Sequence, residues 1–374
     1  MLFSQQCEAA TNGNYLQPGS ISWRAIMRKR ETLLILSQIS FAVTPIFLNK
    51  QYAHSVCIDG RPGIVQTSIR QGKNMQVFIT GASGFIGGSV AARFMREGYQ
   101  VRGLVRTQEQ AARLKALGVE PVLGTLADSE ILGREAKQAD AVVNAASSDN
   151  LFAVQTLLDA LAGSGKVFIH TSGSSVIGDD ARGDWLSEQV FDEDTPFTPA
   201  PEKAARAALD KLIRDAAQRN VRSVILCNTM IYGNGLGLKR DSVQIPPLVA
   251  QARSSGIARY VGKGLNAWSN VHIEDVAELY LLALKTAPAG SFYFVENGQA
   301  SYAEIVGAIA ERLGLGPAQS WPVQDAIDAW GFGHAVYSFG SNSRVSAAKA
   351  RRELGWQPQH ASVLDWIRND MKLD

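Results

Sequence analysis

The segment Gly81-Ala82-Ser83-Gly84-Phe85-Ile86-Gly87 spaces three glycines evenly, directly after the apolar run MQVFIT (75–80) and before an amphipathic stretch. A GxxGxxG in that position suits an anionic diphosphate. The first glycine permits a tight turn, the second lets the backbone approach the phosphates, and the third lets helix and strand pack closely. The helix that follows presents unpartnered N–H groups and a partial positive charge to the same anion. Gly81, Ser83, Gly84, Phe85, Ile86 and Gly87 are therefore candidate contacts to a dinucleotide, and the strand–turn–helix context separates them from a chance glycine triplet. The next apolar run, QVRGLV (100–105), ends at Arg106-Thr107, with no carboxylate before Glu109. Chains that prefer NAD place an acidic residue at this strand end for the ribose hydroxyl, whereas a guanidinium pairs in bidentate fashion with a 2′-phosphate. The expected cofactor is NADP(H) in preference to NAD(H), with Arg106 as the discriminating contact.

The elements that must position these groups are legible from Met75 onward. Short apolar runs alternate with amphipathic stretches, the pattern of a parallel sheet covered by helices. Strands are expected at 75–80, 100–105, 120–123, 141–144, 166–171 and 223–227, and helices over Phe85–Glu97, Gln108–Leu117 and Glu274–Thr286. Another helix begins at Ser301, where Ser301 and Glu304 have capping-box spacing. After Gly233 the rhythm becomes irregular. The expected fold class is α/β: a Rossmann-type doubly wound parallel sheet over 75–235, with a small C-terminal substrate lobe over 236–374 interleaved with the end of the sheet.

Composition removes several classes. The chain has 374 residues, of which three are cysteines, and none of these forms a CxxC pair. A disulfide scaffold is excluded, and a reducing, cytoplasmic setting is expected. The five histidines do not stand at metal-ligand spacing in the sequence, so no metal site is expected. Residues 1–74 carry eight Lys/Arg and three Asp/Glu, and the remainder carries 29 and 32. No basic stripe marks a nucleic-acid partner. Within the first 74 residues, an uncharged run at 32–48 follows Arg28-Lys29-Arg30. It reads as an over-long or disordered start before Met75, as a targeting leader, or as a short membrane tether, with the first reading favoured.

From these residues outward the chain resembles the short-chain dehydrogenase/reductase superfamily, in its extended and atypical branches, the NAD-dependent epimerase/dehydratase-like proteins. The resemblance spans nearly all of 75–372. It rests on VFITGASGFIGG (77–88), GTLAD (124–128), VVNAA (142–146), HTSGSSVIG (170–178), IYG (231–233), NVHIEDVAELYLLAL (270–284) and RRELGWQP (351–358). It implies that Leu126 of GTLAD lies against the adenine, although Thr125 stands where an acid is usual. It also implies that Ala145, Ala146 and Thr171 line the cofactor cleft.

The resemblance further implies a tyrosine as proton donor, a lysine four residues later, and a serine or threonine on the reacting oxygen. This chain departs from all three. None of its nine tyrosines has a lysine four residues later, and none lies between Tyr99 and Tyr232. Alignment puts Glu202 at the tyrosine position, Arg206 at the lysine position and Gly173 at the serine position, beside Ser172 and Ser174. Ser172, Ser174, Glu202 and Arg206 are the catalytic candidates. Substrate contacts are expected from 173–200 and from the later lobe, with Trp185, Tyr232, Asn234, Lys239, Arg240, Arg253, Trp268 and Asn270 as candidates. The small-molecule substrate is not named by the sequence. The expected activity is oxidoreductase or epimerase-like chemistry on a small carbonyl or hydroxyl compound. The alternative is a non-catalytic NADP(H)-binding sensor or regulatory protein.

Overall fold

The computed structural model describes residues 75–373 and two short segments, Val56–Ile58 (β1) and Arg61–Gly63 (β2), paired antiparallel. The chain divides into two units, 1–67 and 68–374. The run at 32–48 lies outside the described residues. Among the described residues, no helix is long and apolar enough to cross a membrane.

In the second unit, apolar runs and helices alternate as the sequence pattern predicts. They are β3 (Gln76–Thr80), α1 (Phe85–Arg96), β4 (Gln100–Val105), α2 (Gln108–Ala116), β5 (Glu120–Leu123), α3 (Ser129–Gln138), β6 (Ala141–Asn144), α4 (Leu151–Leu161), β7 (Val167–Gly173), α5 (Ala204–Asp215) and β8 (Arg222–Asn228). The chain continues through β9 (Met230–Tyr232), α6 (Ile245–Ser255), β10 (Arg259–Val261), β11 (Ala267–His272), α7 (Ile273–Thr286), β12 (Ser291–Val295), β13 (Gln299–Ser301), α8 (Tyr302–Leu313), β14 (Gln319–Trp321) and α9 (Val323–Trp330). A π-helix over Gly333–Ser338, then α10 (Ala348–Leu354) and α11 (Val363–Asn369), complete it.

Seven strands form one parallel sheet in the order β12-β8-β7-β6-β3-β4-β5. Its central strands are apolar on both faces because both are covered, as a parallel sheet requires. Val90 and Phe94 of α1, Leu279 of α7 and Leu354 of α10 pack on one face. Leu132 of α3, Leu157 of α4 and Ile213 of α5 pack on the other. The winding reverses between β3 and β6, and ligands of open α/β sheets bind at the carboxyl ends of the strands at such a switch point.

The smaller lobe has its own apolar centre among α6, α8 and α11, with Leu248, Ile305 and Ile367 in it. Helix α8 begins with the capping box of Ser301 and Glu304. The lobe is interleaved with the sheet: β12 from the C-terminal half pairs with β8 at the sheet edge. Segment 339–345 is laced back across β11. The Asn266 amide donates to the Phe339 and Ser341 carbonyls at 3.0 and 2.7 Å, and the Trp268 indole donates to Ser341 at 2.8 Å. The Ser343 and Ser174 hydroxyls meet at 2.7 Å, and Asn342 donates to Asp179 at 2.8 and 2.9 Å. This lacing holds the segment that follows the π-helix against the turn after β7.

Candidate active site

The glycine turn forms a cradle that side chains would fill. Gly81 has φ of +77°, and a Cβ there would lie 2.7 Å from the Ala145 carbonyl oxygen. A Cβ on Gly87 would lie 2.3 Å from the Gly81 oxygen. Gly84 caps α1 without a side-chain acceptor, and no acidic residue occupies the first turn. The first-turn N–H groups therefore remain available to an anion. Gly81, Ser83, Gly84, Arg106, Leu126, Ala145 and Ala146 line one cleft of about 540 Å³. These features fit a dinucleotide with its diphosphate on the turn.

The other expected contacts lie behind the cleft. Phe85 and Gly87 are buried in the first turn of α1 and Ile86 is half-buried, so what they offer the cleft is backbone N–H rather than side chain. Thr171 is a correction: it is buried, with its hydroxyl 2.7 Å from that of Tyr280, because both faces of β7 are covered. Thr125 donates through its N–H and hydroxyl to Asp128 at 2.6 and 2.8 Å. These bonds, the backbone one first, hold the Asp128 carboxyl below its usual range.

Beyond Ala146 a polar junction leads from the cleft toward the lobe. The Thr80 hydroxyl donates to Asn144, and the Asn144 amide lies 3.0 Å from His170 Nδ1. Burial pushes His170 down to about 4, so its imidazole is neutral at physiological pH. Arg206 grips Asp149 in bidentate fashion, at 2.7 and 2.6 Å, and donates to Ser175 Oγ at 2.9 Å. The Arg206 hydrogen bond is the main cause holding Asp149 below the usual carboxylate range. Arg206 thus ties the loop after β6 to the turn after β7.

Two catalytic expectations are corrected here. Ser172 is buried and donates to Asp210 at 2.7 Å, and Ser174 is buried against Ser343. Both hydroxyls are committed to packing the lobe and α5 against the sheet. The half-exposed serine at this turn is Ser175. Asp210 is 6% exposed, with one carboxyl oxygen buried and without a partner among the described residues. Burial raises it to about 6.

Glu202 lies one helical turn before Arg206 and opens into a second cavity, of about 720 Å³. Phe191, Phe197 and Phe332 form its apolar wall, and Tyr337 of the π-helix joins Glu202 on its lining. The Tyr337 hydroxyl is held above its usual range by burial and by the neighbouring Glu202 carboxylate. The Lys203 ammonium lies 5.2 Å from the centre of the Tyr337 ring. Sequence reasoning missed Tyr337, Lys203, Asp149 and Ser175. Nothing in GFGHAVYSFG (331–340) signals that Tyr337 meets Glu202, since the contact depends on how segment 339–345 is laced.

Most expected substrate contacts sit elsewhere. Trp268 and Asn270 are buried in β11, and Tyr232 is buried with its hydroxyl on the His360 carbonyl at 3.1 Å. Asn234 and Arg253 line a separate cavity of about 210 Å³, where the Arg253 guanidinium donates to the Leu373 carbonyl at 2.7 Å. Arg240 donates to Gly235 at 2.8 Å, while Lys239 and Trp185 are exposed. None of these lines the aromatic cavity.

The fold does bring His272, Glu274 and His360 together, with ligand-type atoms within 4.8 Å of one another, a grouping the sequence spacing did not show. The two imidazoles are stacked at 3.8 Å rather than converging on a point. Nδ1 of His272 accepts from the Glu274 N–H at 3.3 Å, and Nδ1 of His360 lies 3.1 Å from Asp275. This arrangement fastens the segment before α11 to the start of α7.

Comparison with known proteins matches this architecture. Residues 77–295 match the NAD dependent epimerase/dehydratase family. An oxidase of Acremonium sp is 33% identical over 323 residues, covering 76% of this chain and 92% of that protein. The 4-hydroxy-2-methyl-3-oxo-4-farnesyl-3,4-dihydroquinoline-1-oxide ketoreductase of Stigmatella aurantiaca is 27% identical over 329 residues, covering 79% and 96%. Among solved structures, the dTDP-glucose 4,6-dehydratase of Bacillus anthracis in complex with NAD superposes with a TM-score of 0.63. It has 20% identity and covers 79% of this chain and 94% of that one. With the family's match running from the glycine turn through the last strand of the sheet, the chain belongs to the NAD dependent epimerase/dehydratase family.

Proposed function

We propose that this protein is an NADP(H)-dependent reductase of apolar, aromatic carbonyl compounds. When bound, the nicotinamide supplies the hydride. The chain's own residues hold the diphosphate at the turn of Gly81 to Gly87, place Arg106 beside the adenine ribose and shape the substrate cavity.

The observation that carries this reading is the lining of the cavity at Glu202. Its wall holds three phenylalanines, and among the described residues that line it the one cation is Arg182, paired with Asp180 at 2.9 and 3.1 Å, while the Lys203 ammonium is taken up by the Tyr337 ring. A nucleotide sugar brings a diphosphate that needs unpaired cations or N–H groups, whereas a flat apolar substrate gains from aromatic walls. The ketoreductase activity named for the Stigmatella relative, on a quinoline derivative, supports the same class. The preference for NADP(H) is supported by Arg106, which is exposed at the end of β4, lines the cleft and has a guanidinium without an ion pair among the described residues. A non-catalytic sensor is the second reading, favoured by the commitment of Ser172 and Ser174 to structural hydrogen bonds.

Dinucleotide oxidation by the full chain, followed across aromatic ketones, aliphatic ketones and nucleotide sugars, decides among these. Turnover is expected with aromatic ketones and NADPH. Turnover of nucleotide sugars alone would overturn the substrate class, and silence with tight dinucleotide binding would leave the sensor reading.

A further inference from the structure

The reductase reading requires a proton for the oxygen of the reduced carbonyl, and neither Ser172 nor Ser174 is free to supply it. Among the described residues, four tyrosine hydroxyls are engaged away from the cavity. That of Tyr232 is on a backbone carbonyl, and that of Tyr280 lies between Thr171 and Asn228. Tyr293 is on Glu353, and Tyr302 meets Gln244 and Ser338. Tyr337 is the tyrosine that lines the cavity, across from Glu202.

We propose that Tyr337, carried in from the C-terminal lobe on the π-helix, is the proton donor of this site, with Glu202 orienting its hydroxyl and Lys203 as the cation that stabilises its phenolate. This proposal rests on the reductase reading. A proton donor for carbonyl reduction needs a reachable O–H, a partner that aims it and a positive charge beside it once the proton has left. Two segments far apart in sequence supply all three. Glu202 and Lys203 open the turn before α5, and Tyr337 arrives from beyond α9. The ring is braced edge-on by Phe332 at 5.5 Å, and the Ser341 hydroxyl donates to the Tyr337 carbonyl at 2.7 Å. The Lys203 ammonium over the ring is half-buried, so its field is little screened.

A bound reduced nicotinamide dinucleotide would supply the hydride to the carbonyl carbon, and the carbonyl π-electron pair would move onto oxygen. The Tyr337 O–H bond then breaks and a new O–H bond forms on the product. The negative charge left on the phenolate oxygen is stabilised by Lys203 and, at longer range, by the field of Arg182. Water at the exposed side of Glu202 returns the proton. The charged and titratable groups that act on this phenol are Glu202, Asp180, Arg182 and Lys203. A phenol is protonated at neutral pH, and burial and the Glu202 carboxylate shift this one further that way, so the donor is loaded before substrate enters.

The test pairs kinetics with a titration that needs no cofactor. In full-length protein carrying ring-labelled tyrosine, the Tyr337 resonance is assigned by its loss in Tyr337→Phe. Glu202→Gln is expected to lower its titration midpoint, and Lys203→Met to raise it. In turnover with an aromatic ketone, Tyr337→Phe is expected to lower kcat at least about 100-fold. Its affinity for dinucleotide and its melting temperature should match the parent. A resonance unmoved by both substitutions, or a kcat in Tyr337→Phe within about threefold of the parent, would overturn the assignment of Tyr337. A parent protein that binds dinucleotide yet reduces no carbonyl would overturn the reductase reading and the donor role with it. An active parent with an active Tyr337→Phe removes only the donor role.

Discussion

The dinucleotide cleft and the cavity at Glu202, the two ends of the proposed site, are built by different means. At the dinucleotide end, recognition comes from backbone: a left-handed Gly81, an uncapped first turn of α1, and Ala145 and Ala146 at the strand end. At the proposed substrate end it comes from side chains delivered by two segments, with Phe191, Phe197 and Glu202 from the connection between β7 and α5, and Phe332 and Tyr337 from the lobe. A backbone site tolerates little change because its geometry is that of the fold itself. A side-chain site can be rewritten residue by residue while the fold stands, which is how one scaffold serves many substrates.

The largest effect separating the two ends is expected from Gly81→Ala. The new Cβ would meet the Ala145 carbonyl at 2.7 Å in a backbone conformation that L-residues disfavour. Together these cost about 2–5 kcal/mol in folding or in the shape of the turn. Calorimetric titration should show at least about a 25-fold loss of dinucleotide affinity, given 1.4 kcal/mol per factor of ten. Wild-type affinity in this variant would mean that the diphosphate sits elsewhere.

Next in size is a pH effect from behind the substrate end. Asp210 rises from 3.8 to about 6 on burial. A carboxyl with a raised folded-state pKa stabilises the fold fully only while protonated, so its contribution is lost as pH rises from about 4 to about 6. Asp210→Asn keeps an acceptor for Ser172 and removes the charge. Relative to the parent it should be unchanged below pH ~4 and more stable above pH ~6, by up to about 3 kcal/mol at 1.36 kcal/mol per pH unit. His170, behind the dinucleotide end, has the opposite sign. Its depressed value of about 4 means that the parent loses stability as pH falls from about 6.5 toward 4. Denaturant unfolding of parent and Asp210→Asn across this range separates the two, and a pH-independent difference between them would refute a buried, titrating Asp210.

The same contrast explains what the sequence could disclose. Gly81, Gly84 and Gly87 are neighbours in the chain, so their joint function is written locally, and the alternation of strand and helix places them at a sheet end. Arg106 and Ala145 follow because strand ends in a parallel sheet share one edge. The register of β7 is harder to read. Burial on both faces removes the alternation that would have shown Thr171, Ser172 and Ser174 pointing into packing and Ser175 toward Arg206. Tyr337 is harder still. Its place beside Glu202 follows from Asn266, Trp268 and Asn342 lacing a distant segment over β11, and no local periodicity encodes that.

Arg106→Ala probes the one side chain that gives the dinucleotide end its expected selectivity. A charge-assisted, bidentate contact to a 2′-phosphate is worth about 1.5–3 kcal/mol, so NADPH affinity should fall roughly 10- to 100-fold. NADH affinity should hold, since that cofactor presents a hydroxyl there. Parallel titrations with both cofactors measure the difference, and equal losses would return Arg106 to the role of an exposed strand-end residue.

The smallest effect should come from the aromatic wall, and it is the most direct test of a side-chain-built site. Phe332 is 48% exposed and touches Tyr337 edge-on at 5.5 Å. Its truncation to alanine should leave stability within about 0.5 kcal/mol, as at other surface positions. An aromatic pair is worth about 0.5–1.5 kcal/mol beyond area, so an aromatic ketone should lose roughly two- to tenfold in KM. An aliphatic ketone of similar size has no ring to stack and should lose less. If both substrates lost equally, Phe332 would be acting through cavity shape or through the brace on Tyr337 rather than by stacking. A fall in kcat with KM unchanged would single out the brace, because Tyr337 would then be misaimed with the binding wall intact.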